Sequence, residues 1–205
     1  MSSLESAPED YLAPLDEGIA GLRVAYSPDL GYLKVDGEVA DAVRLQAQPT
    51  PVYLSLLRVE TNDHTDTLLL PLRTVADDEA RQVLDTRPAA AVAWVDTPNG
   101  RALLCDATAF PDFWTTLFNW WQQGGKGRSL RGVYAGEVAD ALRGAVATDA
   151  NLISGEQSNS AALVTTNAGD RFFVKLYRRL EPGTNPEVEL LDHLTHVGFR
   201  FVPQL

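Results

Sequence analysis

The stretch AALVTTNAGDRFFVKLYRRLEPGTNPEVELLDHLTH, residues 161–196, decides the fold class. Two runs rich in β-branched and aromatic residues, 161–166 and 171–178, flank the turn residues Asn-Ala-Gly-Asp and predict a β-hairpin. After a loop of Pro and Gly, Asn185 is placed to cap a helix that has proline at its first position and ends near His196. A hairpin followed at once by a helix predicts a mixed α+β protein.

Lys175 lies in the middle of the second strand of this hairpin, and Phe173 and Tyr177 are predicted on the same face. A lysine among apolar residues either reaches water from an edge strand or meets an anion. The functional alternative is a lysine that contacts nucleotide phosphates, as on the third strand of kinase-like folds. The next helix starts with Glu187 and Glu189, which could pair with the lysine, although carboxylates also favour helix N-termini.

The segment before the hairpin, residues 154–160, reads Ser-Gly-Glu-Gln-Ser-Asn-Ser. Its small polar residues would let backbone amides approach a phosphate. It matches neither the Walker A loop nor the six-residue glycine pattern, and an ordinary turn has the same composition. We therefore keep both interpretations of this segment.

The rest of the chain predicts sheet strands interspersed with helices. Strands 52–60 and 67–72 form one predicted hairpin, and strands 91–96 and 101–105 form another around Asn99-Gly100. Helices are predicted over residues 77–84, 111–122 and 36–47, a partly helical segment over 133–146, and a short strand over 22–26.

Composition excludes several classes of protein. The 205 residues carry 17 Lys+Arg against 28 Asp+Glu, a net charge of −11, and 45% are hydrophobic. This apolar fraction argues against disorder, and one cysteine, Cys105, excludes a disulfide scaffold. Net negative charge disfavours a nucleic-acid partner. The acidic, polar N-terminus lacks a signal sequence, and no apolar run approaches the roughly 20 residues of a membrane span, so we expect a cytoplasmic protein.

Three segments in this order resemble the N-lobe of bacterial maltokinase: EQSNSAALV (156–164), RFFVKLYRRLEPGTNPEVELL (171–191) and GFRFVPQL (198–205). TLLLPL (67–72) and LLCDATAFPDFWTTLF (103–118) are similar, more loosely, to the N-terminal cap domain of that family. The family uses ATP and Mg²⁺ to phosphorylate maltose to maltose 1-phosphate for α-glucan and glycogen synthesis. The resemblance implies a mixed antiparallel-sheet cap followed by a partial protein-kinase-like N-lobe, a β-hairpin plus helix.

The resemblance also implies roles for particular residues. Lys175 would order the ATP phosphates, with Glu189 as its helix partner and Glu187 as the alternative. Gln157, Ser158, Asn159 and Ser160 would form the phosphate-facing loop. In the cap, the aromatic residues of 113–120 would be core rather than a ligand platform. The glycine-rich basic loop 125–128 would be solvated, with an anion-binding nest as the alternative.

The resemblance divides the chain into segments 1–48, 49–150 and 151–205, the last two being cap and partial N-lobe. Within the first, residues 10–43 resemble a stretch of amidase-signature hydrolases. Those enzymes carry a Lys–Ser–Ser triad in a Gly/Ser-rich region that this segment lacks, so we expect no amidase chemistry from it.

In the resembled family the catalytic loop and metal ligands lie in a C-lobe, whereas this chain stops at Leu205. We therefore expect a truncated maltokinase-like protein that is inactive alone, with neither catalytic nor metal-binding residues of its own. Maltose would be a ligand only where a C-lobe is supplied. The alternatives are a regulatory module that docks on trehalose synthase or on a separate C-lobe, and a gene-fusion product without function. His193 and His196 have a metal-compatible spacing, but without further ligands they predict an exposed helix face.

Overall fold

The computed structural model describes residues 23–24, 36–46, 50–60, 64–132, 142–153, 159–199 and 201. Within them, strands and helices combine into antiparallel sheets with helices packed beside them, which confirms the α+β class. The strands are β1 (Arg23–Val24), β2 (Asp36–Gln46), β3 (Val52–Glu60), β4 (Thr65–Val75), β5 (Ala91–Thr97), β6 (Gly100–Asp106), β7 (Ala147–Ile153), β8 (Asn159–Thr166), β9 (Arg171–Tyr177) and β10 (Arg179–Leu180). The helices are α1 (Asp77–Thr86), α2 (Pro111–Gln122) and α3 (Pro186–His196).

The strands of the larger sheet are hydrogen-bonded in the order β1-β2-β3-β4-β6-β5. The short strand β10 also pairs with β4 but lies outside this order. β3 and β4 pair antiparallel without interruption from Val52↔Arg73 to Glu60↔Thr65, so the first predicted hairpin is confirmed. β5 and β6 form the second predicted hairpin. Its turn ends at Gly100, whose φ of 110° is open to glycine and costly for other residues.

The smaller sheet has the order β7-β8-β9 and contains the hairpin that the opening stretch predicts. After β9 the chain crosses to the larger sheet, where the Leu69 N–H donates to the Arg178 carbonyl at 2.7 Å and β10 pairs with β4. The helix predictions 77–84, 111–122 and 186–196 are confirmed as α1, α2 and α3. Most of the predicted helical segment 133–146 lies outside the described residues.

The helix predicted over 36–47 is wrong, because residues Asp36–Gln46 form strand β2. Val39, Asp41 and Val43 are buried at every second position, which is strand periodicity rather than helical periodicity. β2 pairs along the whole of β3, and these ladder hydrogen bonds outweigh the high helix propensity of its two alanines.

The hydrophobic core joins the two sheets through α2. Phe113, Trp114 and Phe118 of this helix are buried in one cluster with Leu54 of the larger sheet and Val164 of the smaller sheet. Trp114 also donates from Nε1 to the Thr108 carbonyl at 3.0 Å, which satisfies its one polar atom. Phe113 and Trp114 are therefore core, as the sequence predicts, whereas Trp120 is half-buried and is not part of this cluster.

The predicted boundary at position 48 lies outside the described residues, and the predicted boundary at position 150 lies inside β7. Strand β2, which ends at Gln46, pairs with β3, which begins at Val52, so the chain on the two sides of position 48 belongs to one sheet. The shared core draws residues from both sides of position 150. The three-segment assignment stays a prediction.

Candidate functional site

The outer face of β9 carries the candidate lysine. Along this strand Phe172, Val174 and Leu176 face the core, whereas Phe173, Lys175 and Tyr177 alternate on the other side, as predicted. Lys175 is opposite the buried Ala161 of β8, and only 17% of its side chain is exposed. Within the described chain β9 is an edge strand of the smaller sheet, but a lysine that extended freely into water would be more exposed, so the side chain of Lys175 is held against the protein.

The partner of Lys175 is Glu187. The Lys175 ammonium lies 2.9 Å from Oε2 and 3.2 Å from Oε1 of this carboxylate, and 5.4 Å from the centre of the Tyr177 ring. This contact corrects the assignment of Glu189 as the helix partner in favour of the alternative. Two residues advance an α-helix by about 200°, so Glu187 and Glu189 cannot both face β9.

The start of α3 places Glu187. Asn185 caps the helix by accepting a hydrogen bond from the Glu187 N–H at 2.9 Å, and Pro186 occupies the first helical position, both as predicted. The Lys175 hydrogen bond, and after it the hydrogen bond from Tyr177, lowers the pKa of Glu187. Glu187 therefore carries its negative charge at neutral pH, next to a positive Lys175.

The predicted phosphate-facing loop is described only in part, because Gln157 and Ser158 lie outside the described residues. Asn159 and Ser160 begin strand β8 rather than a loop, which corrects that expectation. Asn159 pairs with Tyr177 across the sheet, so it lies at the same end of the hairpin as the candidate lysine. The Ser160 hydroxyl accepts from the Arg178 guanidinium at 2.8 Å and is thus already engaged by the protein.

Arg178 is a residue that the sequence argument missed. Its Nη2 also donates to Asp106 at 2.6 Å and to the Thr108 hydroxyl at 2.7 Å. Asp106 in turn accepts from the Thr108 N–H at 2.9 Å. The cluster ties β9 to the end of β6 in the other sheet, next to the Lys175 strand. No local motif marks it, since its members come from two stretches, 106–108 and 160–178, that are more than 50 residues apart in sequence.

The basic loop at 125–128 does not offer a free nest of amides. The Ser129 N–H donates to Oδ2 of the buried Asp41 at 2.5 Å, and the Asp41 Oδ1 accepts from the Ala42 N–H at 2.8 Å. Lys126 and Arg128 are exposed, as the solvated-loop interpretation expects. Within the loop, the Gly125 N–H donates to the Trp120 carbonyl at 3.0 Å and the Gly127 N–H donates to the Leu130 carbonyl at 2.6 Å, so neither amide is free to bind an anion.

Among the described residues, no group of three or more His, Cys, Asp or Glu side chains is placed to hold a metal ion. His193 and His196 are exposed on α3, and Cys105 is fully buried, where burial raises the pKa of its thiol to about 11. An open cavity of about 490 Å³ lies beside the C-terminal half of α2 and residues 143–146, and Lys175 does not line it. Within the same described ranges, no helix combines the length and the apolar character needed to cross a bilayer.

Comparison with known proteins adds no family assignment. The chain matches none of the family models against which it was compared, and no curated protein matches it.

Proposed function

We propose that this chain is a maltokinase-like protein whose own contribution is to bind the phosphates of ATP through Lys175. The observation that carries the proposal is the contact of Lys175 with both carboxylate oxygens of Glu187, between β9 and α3. In kinase-like folds a strand lysine paired with a helix glutamate is aimed at the nucleotide phosphates. The order hairpin, lysine, capped helix and glutamate is the same here.

The energetics of the pair favour positioning over stabilisation. Glu187 is 46% exposed on its side chain, and ion pairs at the surface contribute only about 0–1 kcal/mol to stability. Its larger effect is to fix the flexible lysine stem, which then loses less conformational freedom when an anion binds. The positive ammonium is thus preorganised near the end of the β8–β9 hairpin at which Asn159 pairs with Tyr177.

Metal binding and phosphoryl transfer require protein groups other than Lys175 and Glu187. In the resembled family, Mg²⁺ and maltose are bound with groups of a C-lobe, and the described residues of this chain hold no metal-ligating cluster. The proposal for this chain is therefore nucleotide binding, with Mg²⁺ entering as the ATP complex. Synthesis of maltose 1-phosphate for α-glucan production requires a C-lobe.

Calorimetric titration with Mg·ATP tests the proposal. We expect binding to the wild-type chain and a loss of about tenfold or more in Lys175→Met, because a charge-assisted hydrogen bond contributes roughly 1.5–3 kcal/mol. Lys126→Met is the matched control, since it removes an exposed lysine from the loop after α2. Equal losses in the two variants, or a wild-type chain that binds no ATP, would refute the proposal.

A second candidate function is a docking module for trehalose synthase or a separately supplied C-lobe. It is favoured by apolar side chains in and just after α3, a helix without a fully buried residue. Leu190, Val197, Phe199 and Phe201 are 57%, 63%, 49% and 90% exposed. Co-purification with each partner tests it, and we expect Phe199→Asp to abolish retention. Partners that elute separately from the wild-type chain would contradict the docking role.

A further inference from the structure

The outer edge of the larger sheet is formed by β5, which pairs on one side with β6 and has no strand of the described chain on the other. Its sequence, AVAWVDT, contains one charged residue, Asp96, and no lysine or proline of the kind that usually protects an edge. Val92 is 58% and Trp94 is 45% exposed. An apolar strand with one open side is a surface for pairing with another strand.

The hairpin fixes which backbone groups point outward. Thr97 and Gly100 close the two-residue turn between β5 and β6, so they form the first hydrogen-bonded pair. Because bonded and non-bonded pairs alternate in an antiparallel ladder, Val95 turns its N–H and C=O toward β6. Trp94 and Asp96 then present theirs to the open edge.

We propose that β5 pairs antiparallel with β5 of a second copy of this chain, with Val95 opposite Val95 on the two-fold axis. This register places the outward groups of Trp94 in one copy against those of Asp96 in the other, so four main-chain hydrogen bonds form. A two-fold interface is self-complementary, which an edge strand satisfies without any further partner.

The charged side chains of β5 and β6 favour a second copy of this chain as the partner, and they favour this register. The Arg101 guanidinium lies 4.9 Å from the centre of the Trp94 ring in its own chain. In the proposed register, Asp96 of one copy lies opposite Trp94 of the other copy. Each Asp96 carboxylate therefore lies close to the Arg101 guanidinium that packs on that tryptophan ring. Two chains of net charge −11 would repel one another, and these opposite charges locally offset that repulsion. The pairing is independent of nucleotide binding.

Sedimentation velocity or light scattering over a concentration series tests the pairing. We expect the wild-type chain to approach twice its 22.3 kDa mass. Trp94→Glu, which sets two carboxylates against each other, and Asp96→Pro, which removes an outward N–H, should both be monomeric. Val146→Glu changes an apolar residue of similar exposure away from the edge and should remain dimeric.

Circular dichroism melts establish whether each variant is folded. Because two different edge variants are used, the test still stands if one of them does not fold. A wild-type chain that stays monomeric at the highest attainable concentration overturns the proposal. So does a dimer that persists in folded Trp94→Glu and Asp96→Pro.

Discussion

Lys175 and Glu187 form an ion pair that couples stability to pH. The pKa of Glu187 is lowered from 4.5 by its hydrogen bonds with Lys175 and Tyr177, so the folded state releases its proton more readily than the unfolded state. The stabilising contribution is therefore complete above pH 4.5 and is lost as the pH falls through the lower, folded-state pKa. The contribution is small because the carboxylate is largely solvated.

Glu187→Gln tests this coupling in urea unfolding at a series of pH values. Above pH 4.5 we expect the variant to be less stable than the wild-type chain, and we expect the difference to shrink at more acidic pH. Glu189→Gln is the control on the same helix, because it leaves the contact between Lys175 and Glu187 in place. A difference in unfolding free energy that is constant with pH would contradict the assignment.

Arg178 illustrates how one side chain can connect two sheets. Its guanidinium donates to Asp106, Thr108 and Ser160, and 22% of the side chain is exposed. Arg178→Ala should lower the free energy of unfolding by about 1–3 kcal/mol, because it removes the guanidinium donor from one carboxylate and two hydroxyls.

The neighbouring Arg179 provides the comparison. It contacts Asp66 at 2.8 Å, but 59% of its side chain is exposed, so Arg179→Ala should cost less than about 1 kcal/mol. Chemical denaturation of both variants gives the two values. Equal losses would show that Arg178 is no more than another surface arginine.

At the scale of elements, β2 and the loop after α2 fit together so closely that one position requires glycine. A Cβ atom at Gly127 would overlap the Val43 side chain on β2. Ser129 of the same loop donates to Asp41, so the loop cannot simply move away. Gly127→Ala should therefore destabilise the protein by about 1–3 kcal/mol through steric overlap.

A double-mutant cycle with Val43→Ala separates this contact from a general effect on the loop. If the overlap is the cause, the double variant should lose less unfolding free energy than the sum of the losses measured for the two single variants. Simple additivity of the unfolding free energies would mean that Gly127 matters for another reason.

The hairpins and helices were largely predictable because their signals are local. Asn99-Gly100 and Asn-Ala-Gly-Asp at 167–170 supply turn residues, and Asn185-Pro186 supplies a cap and a first turn. β2 was not predictable in this way. Its spaced valines and alanines fit either period, and only pairing with β3 decides the matter.

At the scale of the whole molecule, the shared core predicts one cooperative unfolding transition. Leu54 of the larger sheet and Val164 of the smaller sheet are both buried against the aromatic residues of α2. Leu54→Ala should cost about 2–5 kcal/mol, and Val164→Ala should cost somewhat less. Each should shift the whole transition without splitting it.

Far-ultraviolet circular dichroism and tryptophan fluorescence, recorded on the same denaturant series, check this cooperativity. Coincident curves are expected for the wild-type chain and for both variants. Two separated transitions would show that the sheets unfold independently, as the predicted boundary at 150 would allow.

The sequence by itself determined the α+β class, the two hairpins of the larger sheet, the hairpin that carries Lys175 and the capped helix after it, because turn, cap and periodicity signals act over a few residues. Only the tertiary structure decided that Glu187 rather than Glu189 contacts the lysine, that β2 is a strand, and that Arg178 joins the sheets. These features depend on which faces meet across long sequence separations, and no local pattern encodes that geometry.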